Sequence, residues 1–348
     1  MSRIEEIDKN FEIETKIEKT DIVFRSVLSE PFSIHGVFYK NGKFRRMPEE
    51  VAKSVSDGVQ YNSSSTSGGR IRFRTDSEYV AISVKMGRIS KMPHFALSGS
   101  AGLDMYVRED KDYRFNNTFI PPYELENGYE AVYTFKCKKV RDIMINLPLY
   151  SEVTEMYIGL QKGAILSKAA PYSKQGKIVF YGSSITQGGC ATRPGNAYPS
   201  IISNHFDIDY LNLGFSGNCK GEQAMANYIA GLDMKLFVLD YDHNAPNPEH
   251  LKATHENVFK TVRAANPDLP IIIMSATSFM KEKEERRQII YSTYKNAVQS
   301  GDKNVYFWDG TKEFAEYEDF GTVEGCHSND MGFWATAKSL GDLIEKII

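Results

Sequence analysis

The strongest constraint on the fold is a repeating texture that begins near residue 173. Five short apolar runs follow one another: Ile178 to Tyr181, Tyr210 to Leu213, Leu236 to Asp240, Ile271 to Met274 and Val305 to Trp308. Helical stretches lie between them, near 197–206, 221–232, 248–265 and 282–299, and a last helix runs from about Gly332 to the C-terminus. A strand that is apolar on both faces must be covered on both faces. Alternation with helices supplies that cover and implies a parallel sheet in an α/β domain. Ligands of such sheets sit beyond the carboxyl ends of the strands, so the chemistry is to be sought just after each run.

Residues 1–172 read differently. Gly69 to Thr75 and Tyr79 to Met86 alternate apolar and polar residues, the period of a half-buried strand. Further strands are expected at Leu103 to Arg108, Tyr129 to Cys137, Asp142 to Asn146 and Thr154 to Leu160, with turn residues between them. Many short strands with frequent turns predict an antiparallel β-sandwich, jelly-roll-like. Pro48 to Ser56 reads as one short helix, and Ser63 to Gly69 as a loop within the sandwich rather than a linker. At 348 residues the chain exceeds what one core usually serves. Two domains are expected, 1–172 and 173–348.

The net charge of -3 gives no reason to expect nucleic acid or an acidic membrane surface as partner. No apolar run approaches the length of a membrane span, and the charged start, Met1 to Lys9, has no apolar core of a secretory signal. Cys137, Cys190, Cys219 and Cys326 are scattered without metal-ligand spacing. That pattern fits reduced thiols in a cytoplasm and argues against a zinc site. Homo-oligomerisation is left open.

Ser184 follows the first run, in Tyr181-Gly182-Ser183-Ser184-Ile185-Thr186-Gln187-Gly188-Gly189. A strand entering a small-residue turn and then a helix exposes a hydroxyl near free backbone N–H groups, the arrangement an acyl-transfer nucleophile needs. The plainer reading is a Ser/Gly turn. After the second run, Gly214-Phe215-Ser216-Gly217 makes the Gly217 N–H a candidate oxyanion donor. After the third, Asp242-His243-Asn244-Ala245-Pro246 offers the Asn244 amide, although an Asn there also suits simple turn-making. His327 precedes the last helix, with Glu324 three residues earlier; a capping or surface role is the plain alternative, and His243 is its one rival as a base. Arg193, in the loop after the nucleophile, is a candidate substrate-binding cation.

Together these four blocks resemble the SGNH, or GDSL-type, hydrolases: Gly182-Ser183-Ser184-Ile185-Thr186, Gly217, Asn244 and Glu324-Gly325-Cys326-His327. In addition Gly102-Leu103-Asp104-Met105-Tyr106 resembles the Gly-x-Asp-Leu-Tyr signature of a subgroup with a β-sandwich ahead of the hydrolase domain. The resemblance implies a flavodoxin-like domain with Ser184, His327 and an acid in the catalytic site. It places the Ser184 N–H, Gly217 N–H and Asn244 side chain in the oxyanion hole. Ser183 stands where the family has Asp. Glu324 stands where the triad Asp is expected, so either Glu324 reaches the His327 Nδ1 or another acceptor, such as a backbone carbonyl, orients the ring. No metal or organic cofactor is implied. The expected substrate is a small-molecule or oligosaccharide ester, with short acyl groups on sugars favoured by analogy alone. An acyltransferase and a non-catalytic carbohydrate-binding protein are the alternatives.

Overall fold

A computed structural model describes residues 15–109, 112–276, 283–313 and 320–348. The stretch Met1 to Lys9 lies outside them. In the C-terminal domain the parallel strands are Lys174–Gly182, Ile208–Gly214, Leu236–Asp240, Ile271–Met274 and Val305–Trp308. Counted in chain order they pair 2-1-3-4-5, the flavodoxin-like order with its switch point between strands one and three. The central runs are shielded from solvent throughout: Ile178, Val179, Phe180 and Tyr181 are all fully buried, as are Phe237 to Leu239.

Helices cover both faces because their apolar residues fall on one stripe. In Pro248–Ala265 the buried residues Leu251, His255, Val258, Phe259 and Val262 recur at three- and four-residue steps. Asn247 starts that helix by accepting the His250 N–H at 2.8 Å, with Pro248 at the first position, where a missing N–H costs nothing. The last helix, Asp330–Ile344, is capped in the same way by Asn329, whose side chain accepts from the Gly332 N–H at 3.1 Å. Among the described helices, none is long and apolar enough to cross a membrane.

The N-terminal domain is a sandwich of antiparallel sheets. Ile22–Ser26, Val153–Gln161, Tyr79–Met86 and Gly128–Thr134 form one sheet. Leu166–Ser167, Arg70–Thr75, Arg141–Asn146, Leu103–Glu109 and Asp112–Phe119 form the other, with Ser33–His35 added beside Arg70–Thr75. Val80, Ile82 and Val84 from the first sheet share a core with Ile71, Phe73, Ile143 and Ile145 from the second, the two inner faces that alternation predicts. A small hairpin, Phe38–Lys40 with Lys43–Arg45, stands outside both sheets.

The serine-rich segment is a loop leading into the strand Arg70–Thr75, as the sequence reading has it, but a covered one: Ser63 to Ser67 are all buried. They form part of the seam between the domains. The Ser67 hydroxyl donates to the Gln187 carbonyl at 2.6 Å, and the Gln187 side-chain amide donates to Ser65 Oγ at 3.2 Å. Nearby, the fully buried Arg46 spends its guanidinium on carbonyls of both domains. It donates to Asn212 O (3.0 Å), Gly214 O (2.6 Å), Asn62 O (2.7 Å) and Ser65 O (3.0 Å). On the far side Asp209 pairs with Arg70 and, at 3.4 Å, with His35. A segment rich in hydroxyls can be buried here because each finds a partner, which removes the desolvation cost of an unpaired polar group.

Candidate active site

The first parallel strand ends at Gly182, and the chain turns at once. Ser183 caps the one-turn helix Ser184–Gln187: its Oγ accepts the Ile185 N–H at 3.2 Å. A short polar side chain is what an N-cap requires, and Ser meets it as Asp would. The turn also demands Gly182, because a Cβ there would lie 1.9 Å from Thr186 Oγ1. Gly188 closes the helix in the left-handed region, at φ 100°. Ser184 therefore sits at the first helical position, where its N–H has no partner within the helix. The residue stays only 7% exposed.

The last loop brings His327 to this point. Ser184 Oγ and His327 Nε2 are 2.9 Å apart. A bridge between Thr322 and Ser328, with Gly325 at φ 85°, curls the loop so that the Glu324 carboxylate faces back along it. Glu324 Oε1 meets His327 Nδ1 and also accepts the His327 backbone N–H at 3.1 Å. Of the two acceptors that the sequence left open for the ring, the structure supplies the side chain. The extra methylene of Glu is taken up by this backward fold. Burial raises the Glu324 carboxyl, but the hydrogen bonds from His327 outweigh it and hold the group below its ordinary value. An ionised acceptor puts the imidazole proton on Nδ1, which leaves Nε2 to accept from the Ser184 hydroxyl.

Gly217 lies in the loop after the second strand with φ 69°, open to space on the side where a Cβ would stand. The loop is fixed from several directions. Ser216 N–H donates to Gln187 Oε1 at 2.9 Å, and the Ser216 carbonyl accepts from Asn218 Nδ2 at 2.7 Å and Asn62 Nδ2 at 3.2 Å. Asn244 is oriented by the same loop: its Oδ1 accepts the Cys219 N–H at 3.3 Å, which leaves the amide N–H groups as its free end. His243, the rival base, is not paired with Ser184. Its Nδ1 is buried without a partner, beside a small cavity of about 10 Å³ shared with Asp240, Ile185 and Trp308. Burial lowers its pKa. Beneath the nucleophile turn, Asp240 accepts from Thr186 Oγ1 at 2.6 Å and from Tyr198 OH at 3.1 Å. Burial pushes its carboxyl up to about 7, against the pull of those hydrogen bonds.

Arg193 departs from expectation. It is not a free cation awaiting substrate. Its Nη1 donates to Asp104 Oδ2 at 3.0 Å and to Tyr106 OH at 2.5 Å, and its guanidinium lies 4.0 Å from the centre of the Phe115 ring. Asp104, fully buried, also accepts the Gly195 N–H at 2.9 Å and the Asn146 amide at 2.7 Å. The physical reason is compensation: a carboxylate buried this deeply needs a cation and several donors, and Arg193 is that cation. Asp104 and Tyr106 belong to the Gly102 to Tyr106 signature, so that signature clasps the loop following the nucleophile.

Two groups at the site escaped the sequence reading. Tyr150 of the sandwich donates its hydroxyl to the Ser184 carbonyl at 3.2 Å, and the His94 ring centre stands 5.8 Å from that of His327. Both are single residues in loops, and no local pattern marks a residue whose partner lies in another domain.

Comparison with known proteins follows the two domains. Residues 175–345 match the GDSL-like lipase/acylhydrolase family, and residues 22–166 match the N-terminus of SGNH-hydrolase-type esterases. Among solved structures the chain is similar to a candidate GDSL-like lipase from Bacteroides ovatus, with 27% identity, a TM-score of 0.85, and coverage of 94% of this chain and 98% of that one. It shares its fold with the salicylyl-acyltransferase SsfX3 of a tetracycline biosynthetic pathway (19% identity, TM-score 0.78, 95% and 99% covered). It also shares its fold with a family two carbohydrate esterase from Clostridium thermocellum (15%, 0.60, 81% and 93%). A search of curated proteins returns no match.

Proposed function

Since this chain belongs to the SGNH, or GDSL-type, hydrolase family, we propose that it is a serine esterase that removes short acyl groups, acetyl first, from carbohydrate hydroxyls. The observation that carries the reading is the line Ser184 Oγ, His327 Nε2, His327 Nδ1, Glu324 Oε1 at the carboxyl edge of the sheet. In it the hydroxyl faces one imidazole nitrogen and the acid holds the other. His327 takes the Ser184 proton as Oγ attacks the ester carbonyl. The tetrahedral oxyanion is received by the Ser184 N–H, the Gly217 N–H and the Asn244 amide; one such donor is typically worth about 10²–10³ in rate. His327 next gives the proton to the leaving alcohol, and water repeats the sequence to free the acid.

Two considerations favour a small acyl group on a sugar. Several of the structures that share this fold are carbohydrate esterases by description, and the nucleophile is enclosed, with Tyr150 and the seam packed against its turn. A transferase is the second reading, favoured by the closeness in fold to SsfX3; there an alcohol replaces water in the second half. The test is a panel of p-nitrophenyl esters and acetylated oligosaccharides, assayed with and without an acceptor alcohol. Ser184→Ala is expected to abolish turnover while the melting temperature stays put. Rates that rise from acetate to octanoate would overturn the short-acyl assignment, and an ester product dominating over free acid would select the transferase.

A further inference from the structure

We propose that His94, Cys190 and His327 form a reversible inhibitory site for a thiophilic divalent cation, with zinc the best match to the donor set. The three side chains come from three separate segments: the sandwich, the loop after the nucleophile turn and the last loop. Their ligand atoms all lie within 4.8 Å of one another. Two imidazoles and a thiol suit zinc, which binds such atoms at roughly 2.0–2.3 Å and so holds pairs of them roughly 3.5 Å apart. Any adjustment the metal needs falls most readily to His94, whose exposed position leaves its ring free to turn. Cys190 is the fixed member, buried and held at φ 75°. Binding exchanges the thiol proton, released to solvent, for a sulfur–metal bond, with no change in oxidation state.

The consequence for activity rests on the reading of His327 as the base. Its ring has two nitrogens and both are occupied: Nε2 by the Ser184 hydroxyl, Nδ1 by Glu324. Whichever nitrogen the metal takes, one of those two hydrogen bonds is lost. A second group, Glu324, Cys326 and His327, also falls within 4.8 Å. It lies on a single loop where Glu324 already holds Nδ1, so a metal there would have to separate that pair. The three-segment group needs no such rupture if the metal takes Nε2. It would also tie the sandwich to the hydrolase domain across the mouth of the site.

The experiment uses the full chain after chelator treatment. Zinc is titrated by calorimetry, and cobalt is titrated as a spectroscopic stand-in whose near-ultraviolet band reports a thiolate ligand. Expected are one zinc per chain, a cobalt–thiolate band, and loss of at least roughly 100-fold in esterase rate at saturating zinc, reversed by EDTA. Cys190→Ser is expected to remove the band, His94→Ala to weaken binding about tenfold or more, and Cys326→Ser to leave both intact. No binding at millimolar zinc, binding that survives both substitutions, or a band lost in Cys326→Ser instead would each overturn the site. Zinc binding with the thiolate band in a protein that hydrolyses none of the esters supports the site and counts against the esterase reading alone.

Discussion

Asp104→Ala tests whether the signature of the sandwich acts on the catalytic half. The substitution removes a fully buried carboxylate that accepts from Arg193, Gly195 and Asn146 at 3.0, 2.9 and 2.7 Å. Breaking a buried pair from one side typically costs about 3–5 kcal/mol, because the partner's charge stays behind uncompensated. Arg193 is 21% exposed and keeps Tyr106 and Phe115, so the lower end, about 3 kcal/mol, is the figure expected. For a chain of this size that corresponds to a fall of about 6 °C in melting temperature. Arg193→Ala completes a double-mutant cycle, and the pair should couple by at least about 1 kcal/mol. Asp104→Asn, which keeps acceptors for Gly195 without the charge, should fall between the wild type and Asp104→Ala. Differential scanning calorimetry of the four proteins and p-nitrophenyl acetate kinetics are the assays. A shift below about 2 °C for Asp104→Ala, or strictly additive losses in the cycle, would refute the clasp.

Two further outcomes are expected. His327→Ala should cost several orders of magnitude in kcat, and Glu324→Gln distinctly less, on the order of 10²-fold, because a partly exposed acid can be replaced in part by water; equal losses in side-by-side kinetics would mean a fully coupled triad. Asp240 is held at about 7 against 3.8 for its ordinary value, so it binds its proton more tightly folded than unfolded. Its favourable contribution is complete below about pH 4 and is lost as pH rises through about 7. Asp240→Asn, which can still accept from Thr186 and Tyr198, should therefore gain stability at pH 8, by up to about 4 kcal/mol. The gain should shrink toward pH 5; urea denaturation at both pH values checks it, and a variant less stable at pH 8 would contradict the assignment.

Much of this was legible in the chain because periodicity reports local burial. The runs at Leu236 to Asp240, Ile271 to Met274 and Val305 to Trp308 are strands over the same residues in the structure, since a strand apolar on both sides leaves little freedom of register. Ser184, Gly217 and Asn244 were legible for a related reason: each follows a strand, where parallel sheets gather their ligands, whereas Glu324 and His327 stand out as a carboxylate and an imidazole three residues apart ahead of the last helix. What was not legible depends on contacts between distant segments. Strand Asp112–Phe119 carries Arg114, Asn116, Asn117 and Thr118 and is largely solvated, so it shows no clean alternation. Ser63 to Ser67 reads as a polar loop because nothing nearby reveals that Gln187 and Arg46 answer its polar groups. Arg193 reads as a pocket cation because Asp104 stands 89 residues away in sequence. His94 is one ring in a loop, and only the packing of two domains makes it a neighbour of His327.

Arg46 has a consequence for how such a protein can be recombined. Its guanidinium answers the Asn212 and Gly214 carbonyls at the end of the second parallel strand, where the Gly217 loop begins. A hydrolase half grafted behind an unrelated front module would keep those carbonyls and lose the donor, and its loop would start from an unanchored strand end. A front module moved elsewhere would carry a buried cation with half its acceptors gone. The two halves thus depend on each other at this seam, and a working chimera has to be cut outside Arg46, the serine segment and the strand end they hold.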